Sequence, residues 1–83
     1  MKNTSLFTLV ISKVHERIFH GEAASVTLPG TEGELTVLAQ HEPLITLLSR
    51  GTIIVHTKND ERIEFPIEKG VLEVSQGQVT VLI

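Results

Sequence analysis

Hydrophobic and polar residues alternate with a period of two along most of the chain. Between Arg62 and Glu68, for example, Ile63, Phe65 and Ile67 fall on one face and the polar residues fall on the other. Together with the abundance of Val, Ile and Thr, this alternation is typical of β-strands with one buried face. It predicts a core made of Phe7, Leu9, Val26, Leu28, Val37, Ile53, Val55, Ile63, Phe65, Val79 and Val81, and it also places Ala24 on the buried face.

Turn-forming residues separate these runs. Pro29-Gly30 suits a type II turn with Gly at the positive φ, and Asn59-Asp60 and Gln76-Gly77 are typical of hairpin tips. Turns recur roughly every 8 to 12 residues, which indicates a β-sandwich or barrel. Pro66 cannot donate a ladder hydrogen bond, so its strand is expected at a sheet edge or at a bulge.

The composition fits one small domain, spanning residues 1–83, with a modest core. Hydrophobic residues make up 41% of the chain, and cysteine is absent, so packing alone must hold the fold. The 10 acidic and 7 basic residues give a net charge of −3, and the basic residues are scattered. Without a basic stripe we expect no nucleic-acid partner. No run approaches the roughly 20 apolar residues of a membrane span, so a membrane link is expected only through a partner.

The histidines raise the question of a metal site. They are His15, His20, His41 and His56. A zinc site needs several ligands that converge from rigid positions. The first two histidines are an odd number of residues apart and would face opposite sides of a regular strand. The other two show no ligand spacing, so we expect no bound metal.

Glu32 and Glu34 flank Gly33 and could form a catalytic carboxylate pair. In a polar glycine turn both would stay solvated, which is unsuited to acid–base catalysis. They are therefore either ordinary turn residues or acidic contacts to a partner. The sequence contains neither a G-x-S-x-G elbow nor a phosphate-binding loop. These observations favour a non-enzymatic protein without a cofactor, and a small ligand-binding β module remains the alternative function.

The stretch "IFHGEAASVTLPGTEGELTVLAQHEPLITLL" resembles the N-terminal domain of the epsilon subunit of rotary ATP synthases. "RGTIIVHT" and "KGVLEVSQGQVTVLI" are similar to later parts of the same domain, so the resemblance spans nearly the whole chain. The residues in register in the first stretch are Ile18, Phe19, Gly21, Val26, Leu28, Pro29, Gly30, Gly33, Glu34, Leu35, Val37, Leu38, His41, Pro43, Leu44, Ile45, Thr46 and Leu48.

The chain departs from the family pattern at several loop positions. Thr36, Gln40 and Lys69 stand where glycine is common in the family, Ala39 replaces a usual Pro, and Glu42 replaces a usual Ala. These departures bear on local loop shape rather than on the fold. Family members also continue into two C-terminal helices, whereas this sequence ends at Ile83. We therefore expect a subunit that couples without inhibiting itself.

The resemblance implies an all-β fold, an antiparallel β-sandwich of about ten short strands. It also implies a non-catalytic rotor subunit that binds the gamma subunit and the ring of proteolipid subunits, and that couples proton flow to ATP synthesis. Such a subunit would lie at the cytoplasmic face of the membrane as part of the complex, and would be a monomer when isolated. The residues expected at these protein interfaces are Glu32, Gly33, Glu34, His41, Glu42, Pro43 and Thr46.

Overall fold

Strands joined by short turns make up the fold of residues 5–83, the part of the chain that this computed structural model describes. The strands are β1 (Phe7–Lys13), β2 (Glu16–Gly30), β3 (Gly33–Leu38), β4 (Leu44–Leu48), β5 (Gly51–Thr57), β6 (Arg62–Ile67), β7 (Gly70–Ser75) and β8 (Gln78–Leu82). The all-β prediction is confirmed. The structure has eight strands over these residues rather than about ten. One reason is that β2 continues through 15 residues where shorter strands were expected.

Strand β2 is shared between the two layers of the fold. Its first half pairs with β1, and its second half pairs with β3 and β5. The register shifts between Ala23 and Ser25, where β2 meets β5. This irregularity reverses the expected phase of the alternation, because Ala23 is buried and Ala24 is only half-buried. A bulge that changes which face a residue points to leaves no signal in the hydrophobic pattern.

The other layer contains the one parallel pairing among the described strands. Strand β1 runs parallel to β8, with Leu9 beside Val79 and Ile11 beside Val81. On its far side β8 pairs with β7, and β7 pairs with β4. The remaining pairings are antiparallel, as predicted. Within residues 5–83, no helix is long and apolar enough to cross a membrane.

The core lies between the inner faces of the two layers. All predicted core residues are buried except Ile63 and Phe65, which are half-buried and pack against it. The Phe65 ring meets Phe19 edge-on, with ring centroids 6.1 Å apart. Full burial of one Leu or Ile side chain in this core stabilises the folded state by about 1.5–3 kcal/mol. Ile67 is buried, in agreement with its place on the same face as Ile63 and Phe65, and further buried residues outside the predicted core are Ile11, Ala23, Leu48, Leu72 and Val74.

The turn predicted at Pro29-Gly30 is wrong, because both residues lie within β2. The chain reverses one step later, at Thr31-Glu32, and Gly33 takes the positive φ of 129°. Gly30 serves a different purpose. A Cβ atom there would lie 2.8 Å from the carbonyl oxygen of Gly33 and 2.8 Å from the Leu35 side chain. Glycine at this position therefore allows the two strands of the hairpin to approach closely.

The other predicted turns are confirmed. Asp60 lies at the β5–β6 hairpin tip with a φ of 66°, and Gly77 lies at the β7–β8 tip with a φ of 71°. Asp tolerates the left-handed region better than most residues. The hydroxyl of Thr57 accepts backbone N–H groups from Asn59 and Glu61, which stabilises the first of these turns. Among the described strands, β6, which contains Pro66, pairs only with β5 and is an edge strand as expected.

Candidate protein-interaction site

The predicted interface residues fall into two groups. The first group is the acidic turn, defined here as residues 31–34, which joins β2 to β3. Glu32 and Glu34 are exposed. No ion pair within residues 5–83 involves either carboxylate. Gly33 is also exposed, and its positive φ is a conformation that an L side chain rarely adopts. The turn therefore presents two unpaired carboxylates on a backbone whose conformation requires glycine at position 33.

Thr46 belongs to the same group although it is distant in sequence. It lies on β4, half-buried, and together with Leu44 it faces the acidic turn and Leu35 across a groove of about 260 Å³. The groove has an apolar floor, because Leu35 and Leu44 both pack against the core. Its rim carries Glu32 and Glu34. An acidic rim over an apolar floor suits a basic side chain with its aliphatic stem, such as Lys or Arg.

The second group is the His41 corner, defined here as residues 39–43. Gln40 has a φ of 68°, so the chain bends sharply at a left-handed residue. The N–H of His41 then donates to the carbonyl of Leu38 at 3.2 Å. The His41 Nδ1 lies 2.8 Å from the Glu42 carbonyl oxygen. Because a carbonyl only accepts, Nδ1 carries the proton and Nε2 is left to interact with a partner. His41, Glu42 and Pro43 are all exposed.

A cavity of about 670 Å³ opens beside the His41 corner. It is lined by Ser5, Leu6, Phe7, Ala39, Gln40, His41, Glu42, Pro43, Gln76 and Gly77. Phe7 is its one aromatic residue, and only 4% of Phe7 is accessible to solvent. A small-molecule site is usually lined mainly by apolar and aromatic side chains. This cavity runs between the His41 corner and the β7–β8 turn.

The structure therefore separates residues that the sequence placed in one stretch. The acidic turn lies at the start of β3 and the His41 corner follows its end. An extended strand of this length spans about 17 Å. Thr46 groups with the acidic turn rather than with its sequence neighbours His41 and Pro43, because β4 runs back past the turn.

An exposed apolar surface was missed by the sequence analysis. Ile45 and Leu47 on β4 are 71% and 59% exposed, and Leu82 on β8 is 53% exposed. Leu47, Val71 and Leu82 are direct cross-strand neighbours on the outer side of their layer. A signal was available in "LITLL". Strict alternation that buries Leu48 leaves Ile45 and Leu47 facing outwards, and contiguous exposed apolar residues often mark a contact surface.

The residues considered for metal binding or catalysis do not converge. Over residues 5–83, no group of three or more His, Asp or Glu side chains is arranged to hold a metal ion. His56 instead contacts the Ser25 hydroxyl at 3.3 Å, and His20 contacts Arg17 at 3.2 Å. Both contacts lie on the surface, the first between β2 and β5 and the second within β2.

Comparison with known proteins relates residues 6–83 to one family model. Its description is ATP synthase, Delta/Epsilon chain, beta-sandwich domain. The ATP synthase epsilon chain of Xanthomonas euvesicatoria pv. vesicatoria (strain 85-10) is 44% identical over 73 residues, covering 88% of this chain and 52% of that protein. The epsilon chain of Xylella fastidiosa (strain Temecula1) is 43% identical over 72 residues, covering 87% of this chain and 51% of that protein. This chain thus spans about half the length of these relatives.

Solved structures show the same architecture. A chain in the Euglena gracilis mitochondrial ATP synthase structure, described as OSCP/F1/c-ring in rotational state 1, superimposes with a TM-score of 0.88. It is 26% identical, and the match covers 98% of this chain and 52% of that one. A chain from the Tetrahymena thermophila mitochondrial ATP synthase, central stalk/c-ring, has a TM-score of 0.75 at 13% identity, covering 98% of this chain and 65% of that one. The second likeness concerns the fold alone.

Proposed function

We propose that this chain, which belongs to the ATP synthase delta/epsilon chain beta-sandwich domain family, acts as a non-catalytic rotor subunit of ATP synthase. The observation that carries the proposal is the family match over residues 6–83, supported by the structural likeness to a chain of the Euglena complex. In this role the subunit turns with the central stalk and links the gamma subunit to the proteolipid ring. Proton flow through the ring is thereby coupled to ATP synthesis in other subunits.

The acidic turn is the proposed contact to the proteolipid ring. Glu32 and Glu34 are exposed and have no ion-pair partner within residues 5–83, so their charge is available to another protein. The resemblance implies that the exposed loops of the ring carry basic residues. Opposite charges across such an interface favour encounter and fix orientation more than they add affinity. Thr46, across the groove, offers a hydroxyl beside the same contact.

The His41 corner is the proposed contact to gamma. His41, Glu42 and Pro43 are exposed on a bend whose backbone is fixed by the hydrogen bond from His41 to Leu38. Pro43 adds rigidity because its ring restricts φ, which lowers the entropy lost on binding. Two contacts at opposite ends of β3 would let the domain hold both partners at once and transmit torque between them.

ATP synthesis and hydrolysis belong, in this proposal, to other subunits of the complex. The motifs needed for nucleotide chemistry, such as a phosphate-binding loop, are not found in this sequence. The chain would lie at the cytoplasmic face of the membrane, attached through the complex. It is expected to be a monomer when isolated.

The proposal can be tested by assembly. The purified chain is mixed with the gamma subunit and the detergent-solubilised proteolipid ring of the same organism, singly and together, and analysed by size-exclusion chromatography with mass determination. We expect one copy to elute with gamma, and a three-component complex when the ring is added. Elution of the chain alone in every mixture would contradict the proposed function.

A further inference from the structure

The described part of the sheet has two strand edges that are handled differently. Strand β3 pairs only with β2, and strand β6 pairs only with β5, so one side of each is open. An open side presents unpaired backbone N–H and C=O groups that can pair with another chain. The two strands have similar lengths, from Gly33 to Leu38 and from Arg62 to Ile67. Their difference therefore lies in which groups they expose.

The register shows which backbone groups of β3 face the open side. Glu34 lies opposite Pro29, which has no N–H and whose carbonyl accepts from the Ser49 N–H at 2.7 Å. This pair therefore exchanges no ladder hydrogen bonds, and the alternation of antiparallel pairs turns Glu34, Thr36 and Leu38 towards the open side.

Two further contacts agree with this assignment. The Leu38 carbonyl accepts from the His41 N–H and not from β2. The hydroxyls of Thr27 and Thr36 lie 3.0 Å apart, as the closer spacing of side chains in a non-hydrogen-bonded pair allows.

The open side of β6 is blocked. The Thr57 N–H donates to the Glu61 carbonyl at 2.9 Å and closes the hairpin. By the same alternation the backbone groups of Arg62, Glu64 and Pro66 face outwards. Pro66 contributes a ring in place of an N–H, and the Arg62–Glu64 ion pair, with 2.6 Å between Nη1 and Oε2, adds charge along this edge. Proline and charge are the common means of preventing another strand from pairing.

The open side of β3 has no such protection. Its outward positions contain no proline, and their one charged residue is Glu34, at the end next to the acidic turn. Leu38, at the other end, is 57% exposed. Among residues 5–83, no strand pairs with the N–H groups of Glu34, Thr36 and Leu38 or with the carbonyls of Glu34 and Thr36. An unprotected edge of this kind is suited to adding a strand from a partner.

We propose that an extended segment of the gamma subunit binds the open side of β3 as an added strand. The inference rests on the proposed function, which supplies the partner. Strand β3 runs from the acidic turn to the His41 corner, so its edge joins the two proposed contacts into one continuous surface. A segment of gamma that continues from the His41 corner along β3 lies directly against this edge.

The side chains of β3 define the chemistry of the added strand. On the outer face, cross-strand pairing favours a β-branched residue opposite Thr36 and an apolar residue opposite Leu38. The intervening residues of the added strand would lie on the inner face beside Leu35, which packs against the core, so apolar side chains fit there.

Thr36→Pro is the variant that tests this inference. It removes an outward-facing N–H while leaving the hydrogen bonds between β3 and β2 in place. Thr36→Val is the matched control, because it loses the hydroxyl and keeps the N–H. Glu64→Pro makes the equivalent change on the blocked edge. By calorimetric titration with the gamma subunit, we expect about tenfold weaker binding for Thr36→Pro, since one hydrogen bond and close strand approach are lost. Both controls should stay within about twofold of wild type.

Amide hydrogen exchange of the wild-type chain gives an independent test that needs no variant to fold. Adding gamma should slow exchange at the Glu34, Thr36 and Leu38 amides, and leave the outward Arg62 and Glu64 amides fast. Unchanged exchange at Thr36 in a saturated complex, or wild-type affinity of a folded Thr36→Pro, would overturn the added strand while the proposed function stands. Failure of the wild type to bind gamma contradicts both. A concentration-dependent dimer of the free chain that protects Thr36 would assign this edge to a second copy and also overturn the inference.

Discussion

The carboxylate of Glu34 is held where it is exposed and unpaired within residues 5–83. Its side chain contributes little to folding, because surface substitutions usually change stability by no more than about 0.5 kcal/mol. Its charge, however, is proposed to face basic loops of the ring. We therefore expect Glu34→Gln to fold normally and to bind the ring less tightly, and Glu34→Lys to bind more weakly still because like charges then meet.

Salt provides the check on this prediction. Exposed charges are screened beyond a Debye length of about 8 Å at physiological ionic strength, so the difference between wild type and Glu34→Lys should shrink as salt rises. Ring binding is measured by surface-based kinetics at low and high salt. Glu73→Gln on β7 is the control for a generic loss of negative charge, because Glu73 is also exposed. Equal ring affinity of wild type and Glu34→Lys at low salt would show that Glu34 is an ordinary solvated turn residue.

His41 is expected to matter for binding and not for folding. It is exposed, and the side-chain hydrogen bond described for it goes to the carbonyl of the adjacent Glu42. Replacing it with Ala should change the free energy of unfolding by less than about 0.5 kcal/mol, while weakening the complex with gamma. Thermal denaturation and calorimetric titration of the same samples separate the two effects. A fall of many degrees in Tm would mean instead that His41 is structural.

Gln40 occupies a backbone position that favours glycine. Its φ of 68° is left-handed, a region that costs most L residues about 1–2 kcal/mol relative to the right-handed region. Glycine adopts this φ without the steric cost. Its greater conformational entropy in the unfolded chain offsets part of the resulting stabilisation. We expect Gln40→Gly to stabilise the protein by about 0.5 kcal/mol, which is roughly 2–4 °C in Tm.

Gly77 is the matched test of the same effect in the opposite direction. Its φ is 71°, and a Cβ there would meet nothing within 4 Å, so Gly77→Ala introduces backbone strain without a clash. It should destabilise the protein by about 1 kcal/mol. Urea denaturation of both variants measures the pair. A destabilised Gln40→Gly would show that the side chain of Gln40 contributes more than its backbone costs.

At the level of elements, Pro66 is expected to keep β6 from self-association. Replacing it with Thr restores an outward N–H on an edge strand and should increase concentration-dependent association, because the edge can then pair with another copy. Thr52→Val, directly across from Pro66 on β5, changes a surface side chain without adding an edge donor and serves as the control. Analytical ultracentrifugation over a range of concentrations gives the readout. Identical sedimentation of Pro66→Thr and the control would show that proline has no protective role here.

Local pattern predicted the strands and most of the buried face, because period-two alternation is a property of each strand by itself. It failed where one strand's geometry depends on another. Alternation along β2 predicts that the Ala24 side chain points inwards. The irregularity near Ala23 makes this wrong, and it belongs to the β2–β5 pairing, which the sequence of β2 alone does not show. The sequence predicts a turn at Pro29-Gly30 because a Pro-Gly pair is usually found in turns. Gly30 is instead needed for the close approach to Leu35, which exists only in the folded hairpin. The parallel β1–β8 pairing joins the two ends of the described chain, and no local signal specifies it.

The same reasoning applies to the candidate site. The family resemblance, and not the residue pattern, implied the acidic turn and the His41 corner as interfaces, and the structure shows that the side chains of Glu34 and His41 are exposed. The sequence could not show that Thr46 lies with the acidic turn, since that depends on the path of β4. Nor could it show that β3 has an open side, because an edge is defined by what does not pair with it.

For the whole molecule, the arrangement places one proposed contact at each end of a single edge strand. The two-layer core fixes β3 through its pairing with β2, so the distance between the contacts is set by the fold and not by flexible loops. A rotor component that must hold two partners during rotation needs this kind of rigid spacing. The proposal therefore makes a claim about coupling, and not only about binding.

The most direct measurement of that claim is proton pumping by a reconstituted complex. ATP synthase from the same organism, depleted of its epsilon subunit, is placed in vesicles with or without this chain, and ATP-driven acidification is followed together with ATP hydrolysis. We expect the wild-type chain to raise the number of protons pumped per ATP hydrolysed, and Glu34→Lys to restore less coupling at low salt than at high salt. Vesicles that pump equally well with and without the chain, while hydrolysing ATP at the same rate, would contradict it.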